Sequence, residues 1–148
     1  MKNQLFVVVV FMATTLSFSS ASSQNTVKVT PDQVPQEFQN YQDTLLVVNE
    51  GGLMGYSKYL KKNFEKYYEG KYKIVSRNEY LNKPGNHFRF VFTGIANYEL
   101  SGTDTHTLIQ YILTDNNTGK EYKTAKTRYY SELMINYIKE LNTQLKKQ

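Results

Sequence analysis

Apolar residues along this chain follow two spacings, and the switches between them map out the elements. Thr44 to Val48 (TLLVV) is apolar on both alternating faces, the pattern of a strand buried on both sides. Gly51, Gly52 and Gly55 then turn the chain. Tyr56, Leu60, Phe64, Tyr67 and Tyr68 recur at helical spacing, with Lys58, Lys62, Glu65 and Glu69 opposite. Gly70 is expected to close that helix as a left-handed cap, and Tyr72 to Ser76 (YKIVS) returns to strand-forming residues. Together these predict a βαβ unit with a parallel strand pair, covered by helices on both faces.

Arg77 to His87 is rich in turn formers, with Lys83-Pro84-Gly85-Asn86 a tight-turn signal and Leu81 the one residue expected to be buried. Phe88 to Ile95 alternates, placing Phe88, Phe90 and Phe92 on one buried face and Arg89, Val91 and Thr93 on the other. Gly94 within it predicts either a bulge or the close approach of another backbone, with the strand continuing through Tyr98 and Leu100. Ser101 to His106 reads as a turn and Thr107 to Thr114 as a central strand. Asp115 to Gly119 reads as a hairpin loop, and Lys120 to Arg128 as a polar edge strand. A final helix runs from about Tyr130 to Lys147. Its apolar stripe is Leu133, Met134, Tyr137, Ile138, Leu141 and Leu145; its wet face is Glu132, Asn136, Lys139 and Thr143. The predicted fold class is α/β with α+β character: one mixed sheet of about five strands, ordered β-α-β-β-β-β-α, with two main helices packed on it.

Ahead of this domain, which spans residues 43–148, residues 24–42 form a polar lead-in. Thr30-Pro31-Asp32-Gln33 is a helix-start signal there, and Phe38 and Tyr41 are expected to drop onto the domain. Residues 1–23 have the make-up of a signal peptide. Lys2 precedes an apolar run from Leu5 to Met12 that is short for a bilayer span, and Ser19-Ser20-Ala21-Ser22-Ser23 supplies the small residues of a cleavage site after Ala21 or Ser23. A lipoprotein would need a cysteine there, and the chain has none, so a periplasmic or secreted protein with no stable membrane anchor is expected.

Composition narrows the chemistry. The formal charge of +5 includes Lys2, leaving about +4 after cleavage, and the lysines are interleaved with glutamates rather than gathered in an arm for nucleic acid. Zinc sites take three or four protein ligands, and only His87 and His106, at the predicted starts of neighbouring strands, are available; no metal or cofactor is expected. Gly51-Gly52-Leu53-Met54-Gly55 matches neither the dinucleotide fingerprint nor the P-loop, and Glu50 beside it would repel an anion. No Gly-x-Ser-x-Gly elbow occurs, nor a serine placed beside a histidine. The 13 tyrosines are the unusual count. Most fall on predicted core stripes, but Tyr98, Tyr122, Tyr129 and Tyr130 stand off them, and with Arg128 they are candidates for partner binding.

The element order and three stretches, Lys73 to Asn78, Phe90 to Ile95 and Leu113 to Glu121, give a resemblance over about residues 43–146. The chain resembles the α/β domain of periplasmic envelope proteins: the N-terminal domain of the Tol-Pal translocation protein, the curli-secretion lipoprotein and the penicillin-binding-protein activator lipoproteins. Several of these are lipid-anchored through a cysteine absent here. The resemblance implies a non-enzymatic docking domain and transfers no site residue. The expected function is therefore an exported binding module of the bacterial cell envelope, its partner an envelope protein first and a glycan second. The alternative is a small-ligand carrier or small hydrolase using a pocket beside Gly51, Gly52 and Gly55. Intact-mass measurement on protein exported by its native host should show a chain beginning at Ser22 or Gln24; full-length protein retained in membranes would contradict the leader assignment.

Overall fold

Leu45 to Asn49 form strand β1, and four of its five residues are buried, as apolar side chains on both alternating faces require. The structure, a computed structural model, describes residues 27–83 and 87–147; the leader expected at residues 1–23 and most of the turn expected at residues 83–86 lie outside the described residues. The other elements are helix α1 (Tyr56–Tyr67), strand β2 (Tyr72–Ser76), helix α2 (Arg77–Asn82), strands β3 (Phe90–Ser101), β4 (Asp104–Asp115) and β5 (Lys120–Lys123), and helix α3 (Tyr130–Leu145). They build an α/β fold around one five-stranded mixed sheet of order β2-β1-β3-β4-β5. β1 runs parallel to β2 and β3, while β3, β4 and β5 are antiparallel. No helix of the described residues is long and apolar enough to cross a membrane.

β1 is covered by helices on both sides, as expected: the short α2 packs on one face of the sheet, and both long helices lie on the other. Leu45 and Val47 of β1, Phe90 and Phe92 of β3, and Tyr111 and Leu113 of β4 meet Leu60 and Phe64 of α1 and the Leu133–Leu141 stripe of α3 there. Phe92 makes the central contacts, with ring centroids 5.1 Å from Tyr111, 5.3 Å from Phe64 and 5.6 Å from Tyr137. The lead-in closes one end of this layer through Val34, Phe38 and Tyr41, with Phe38 and Tyr41 both about 5 Å from Phe90. Thr30 and Gln33 form the capping box that starts its first turn.

The opposite face buries only Leu46, Val48, Val75 and Val91, with Tyr80 and Phe88 packed against them. Two expectations are corrected here. Phe88 precedes β3 and turns to this side, away from Phe90 and Phe92. The turn-rich stretch after β2 opens as α2, because the Ser76 hydroxyl accepts from Glu79 N and caps it; Tyr80 is its packed residue, and Leu81 is exposed.

Polar groups tie the helices together. Asn142 of α3 is buried, and its amide donates to Tyr67 O at 2.6 Å and accepts from Glu69 N at 3.1 Å, satisfying the last turn of α1. This clamp replaces the glycine cap expected at Gly70, whose φ is not positive. Gly70 is small for another reason: a Cβ there would meet the Tyr68 hydroxyl at 2.7 Å. Asn136, expected on the wet face of α3, donates to Val27 O at 2.8 Å and pins the lead-in. Asp115, at the end of β4, is almost fully buried, paired with Arg89 and accepting from Asn117 N.

The antiparallel strands also differ from their expected lengths. The turn between β3 and β4 shrinks to Gly102 and Thr103, so the two strands form a hairpin with Ser101 paired to Asp104. β5 stops at Lys123, well short of Arg128. Gly94 sits in unbroken register opposite Tyr111, so there is no bulge. The close approach at Gly94 is made by a side chain: a Cβ there would lie 2.2 Å from the Tyr56 hydroxyl and 3.1 Å from Tyr56 Cζ.

That hydroxyl is itself buried with no hydrogen-bond partner among the described residues. Tyr56→Phe should therefore leave stability within about 0.5 kcal/mol of the parent or raise it, since it removes an unsatisfied polar group. Gly94→Ala should cost about 1–3 kcal/mol through overpacking. Adding Tyr56→Phe to Gly94→Ala should recover a large part of that cost in urea unfolding; strictly additive effects would show that the two sites do not touch.

Candidate functional site

Past β5 the chain leaves the sheet and returns to it once. Thr124 Oγ1 accepts from Tyr111 N at 2.9 Å, and Thr127 exchanges both backbone hydrogen bonds with Ile109, at 2.8 and 3.0 Å. Pinned at Thr127, the chain throws Arg128 and Tyr129 outward. Tyr129 N then finds Thr127 Oγ1 at 3.0 Å, and α3 begins, its first bond running from Leu133 N to Tyr129 O. Tyr130 is held from below, its carbonyl accepting from the Tyr111 hydroxyl at 3.0 Å.

These residues surround an open concavity of about 310 Å³ at the head of α3. Arg128, Tyr129 and Tyr130 line it with Ser131 and Glu132, and Tyr59 of α1 forms the far wall. Tyr59 is 42% and Tyr129 57% exposed, large apolar surfaces that the fold leaves in water. Tyr59 stands edge-on to Tyr130, with centroids 6.1 Å apart and planes at 77°. Arg128 is exposed and makes no ion pair among the described residues.

Three of the five residues singled out for partner binding therefore meet in one place; Tyr98, on β3, and Tyr122 lie elsewhere. β5 pairs Tyr122 with Leu113, which turns its ring onto the core face, 7% exposed, with the Lys120 ammonium 4.6 Å above it. Tyr59 was not singled out because it lies just off the Tyr56–Leu60–Phe64 stripe, where periodicity alone reads an aromatic as peripheral core. Its signal was its excess: a tyrosine one position short of a stripe already filled by Leu60.

Gly51, Gly52 and Gly55 all take positive φ, at 65°, 80° and 78°, and Gly55 is the residue from which α1 starts. Asn49 Oδ1 accepts from Gly51 N and from Ser57 Oγ, tying the strand end to the helix start, and the Glu50 carboxylate pairs with Arg77. Turn conformation accounts for these glycines. The histidines lie at opposite ends of the β3–β4 hairpin: His87 precedes β3 against the Phe88 ring, while His106 sits opposite Glu99 near the tip. Among the described residues no three histidine or acidic side chains converge on a point. A second, smaller hollow of about 100 Å³ lies under α2, with Leu46, Val75 and Phe88 as its floor.

No protein-family model matches the chain, and no curated protein matches its sequence. Among solved structures it is similar to the PelC dodecamer from Paraburkholderia phytofirmans, at 12% identity and a TM-score of 0.42, over 72% of this chain and 90% of that one. A point variant of that dodecamer in another crystal form gives 13% identity and a TM-score of 0.40, over 68% and 88%. Likeness at that level assigns this chain no activity and no assembly.

Beneath the concavity, burial pushes the Tyr56 and Tyr111 hydroxyls well above the ordinary phenol value; Glu50 adds to the first, and Tyr56 and Tyr130 to the second. Burial does the same to Tyr68 and Tyr137. Such phenols keep their protons in the folded chain at pH values where the unfolded chain has lost them. Their contribution is thus complete below about pH 10 and is lost above it, by up to about 1.4 kcal/mol per pH unit for each group. Thermal melts should show Tm falling steeply above about pH 10, and a Tm flat to about pH 12 would show that these hydroxyls reach water in the folded state.

Proposed function

We propose that this protein is an exported binding module of the bacterial cell envelope that docks on another envelope protein through the head of α3 and carries out no chemistry of its own. The observation that carries the reading is the grouping of exposed Tyr59 and Tyr129 with Arg128, which makes no ion pair among the described residues, around one concavity on a backbone pinned at Thr127 and Tyr130. Tyrosine and arginine are the residues that dominate protein-interface energetics, and a rigid mount lowers the ordering cost of binding. The leader at residues 1–23 and the resemblance to periplasmic docking domains support export and the envelope setting.

The reading favours protein over glycan because Tyr59 and Tyr130 do not form a flat platform between them. A sugar ring stacks on a flat exposed face, whereas Tyr59 is turned edge-on to Tyr130. Tagged mature protein expressed in its own host should capture a defined protein partner, and Arg128→Ala with Tyr129→Ala should abolish that capture with unchanged circular dichroism and Tm. Lys62→Ala, on the outer face of α1, should capture as the parent does. Equal capture by the double variant would remove the α3 head from consideration, and captured material that resists protease but yields to glycosidases would replace the protein partner with a glycan.

A further inference from the structure

The β3–β4 hairpin is longer than the sheet it belongs to. β1 accompanies β3 only at Val91 and Phe92, and β5 with the Thr127 bridge accompanies β4 only from Ile109 onward. Beyond those points Ile95 to Ser101 and Asp104 to Leu108 form a two-stranded ribbon with no third strand on either side among the described residues. Its side chains are the most exposed apolar ones on the sheet: Leu100 at 82%, Tyr98 at 67% and Ile95 at 44%.

The direction of the backbone groups follows from the turn. Ser101 and Asp104 flank a two-residue turn and so form a hydrogen-bonded pair, and the alternation of an antiparallel ladder then aims the N–H and C=O of Ala96, Tyr98 and Leu100 outward, away from β4. The bonds of Ile109 and Tyr111 to Thr127 and Thr124, on the far side of β4, obey the same alternation. Edges of this kind are normally blunted by lysine, proline or shortness. The other two edges of this sheet are: β5 spans four residues with Lys120 and Lys123, and β2 spans five with Lys73. Ile95 to Ser101 carries no lysine, arginine or proline, and Glu99 is its single charge.

We infer that this edge is covered by the same edge of a second copy of the chain, in an antiparallel pair centred on Tyr98. The segment is complementary to itself in that register. On one face Tyr98 meets its own counterpart, and Ala96 meets Leu100 of the second copy, small against large. On the other, Asn97 faces Glu99, an amide donor opposite a carboxylate. No like charges oppose each other anywhere in the pairing. The two ribbons thereby become one four-stranded antiparallel sheet, and the outward hydrogen-bonding groups of Ala96, Tyr98 and Leu100 are satisfied. This inference does not depend on the α3 head, which lies on a different part of the chain.

The register provides its own test. Directly opposed residues of a hydrogen-bonded pair have Cα atoms about 5.5 Å apart, within disulfide range, and the chain contains no cysteine. The mature parent should sediment as a concentration-dependent dimer, and Tyr98→Cys should form a covalent dimer under mild oxidation, while Ala125→Cys beyond the β5 edge should not. Tyr98→Lys places two lysines face to face and should sediment as a monomer with unchanged circular dichroism. A parent that is monomeric up to its solubility limit, a dimer that survives Tyr98→Lys, or equal cross-linking from position 125 would each overturn the pairing.

Discussion

Phe92 is the contact on which the two helices depend. Its ring lies between Phe64 of α1, Tyr111 of the neighbouring strand and Tyr137 of α3, so each long helix is placed on the sheet partly by touching the same side chain. A sheet covered this way has one thick face and one thin one. The thin face holds four buried aliphatics under a six-residue helix, and the consequences appear at the periphery. Tyr56 lies so close to β3 that a Cβ at position 94 would meet its hydroxyl at 2.2 Å, and Asn142 crosses from α3 to satisfy the end of α1.

The two candidate surfaces follow from the same asymmetry. With α1 and α3 side by side, the start of α3 comes within ring contact of α1, and Tyr59 and Tyr130 meet although they are far apart in sequence. β3 and β4 outrun the strands beside them, which leaves an uncapped ribbon. One surface is concave, aromatic and built on helix ends; the other is a backbone edge. They suit different occupants, a shaped partner in the first case and a strand in the second.

Much of the fold was legible in the sequence, because α1 and α3 carry long apolar periods and β1 an unbroken apolar run. What could not be read was relative placement. Phe88 continues the alternation of Phe90 and Phe92 on paper, yet it precedes the first ladder pair, so nothing in the backbone holds it to that face. Arg77 to Asn82 reads as turn by composition, and the Ser76 cap tips it into a helical turn. In the candidate site, Arg128, Tyr129 and Tyr130 were legible as residues off the stripes. Tyr122 was misread because polar neighbours suggested an exposed edge, whereas pairing with Leu113 fixes its ring inward. Tyr59 required the helix-to-helix placement that no local pattern contains.

Site-specific photo-cross-linking at position 129, in the native host and with residues 1–23 in place, tests the central claim most directly. A photoreactive side chain in place of Tyr129 should give one dominant adduct with another envelope protein, while the same group in place of Lys62 should give none. No adduct at 129, or the same adducts from both positions, would contradict the assignment of the α3 head as a docking surface.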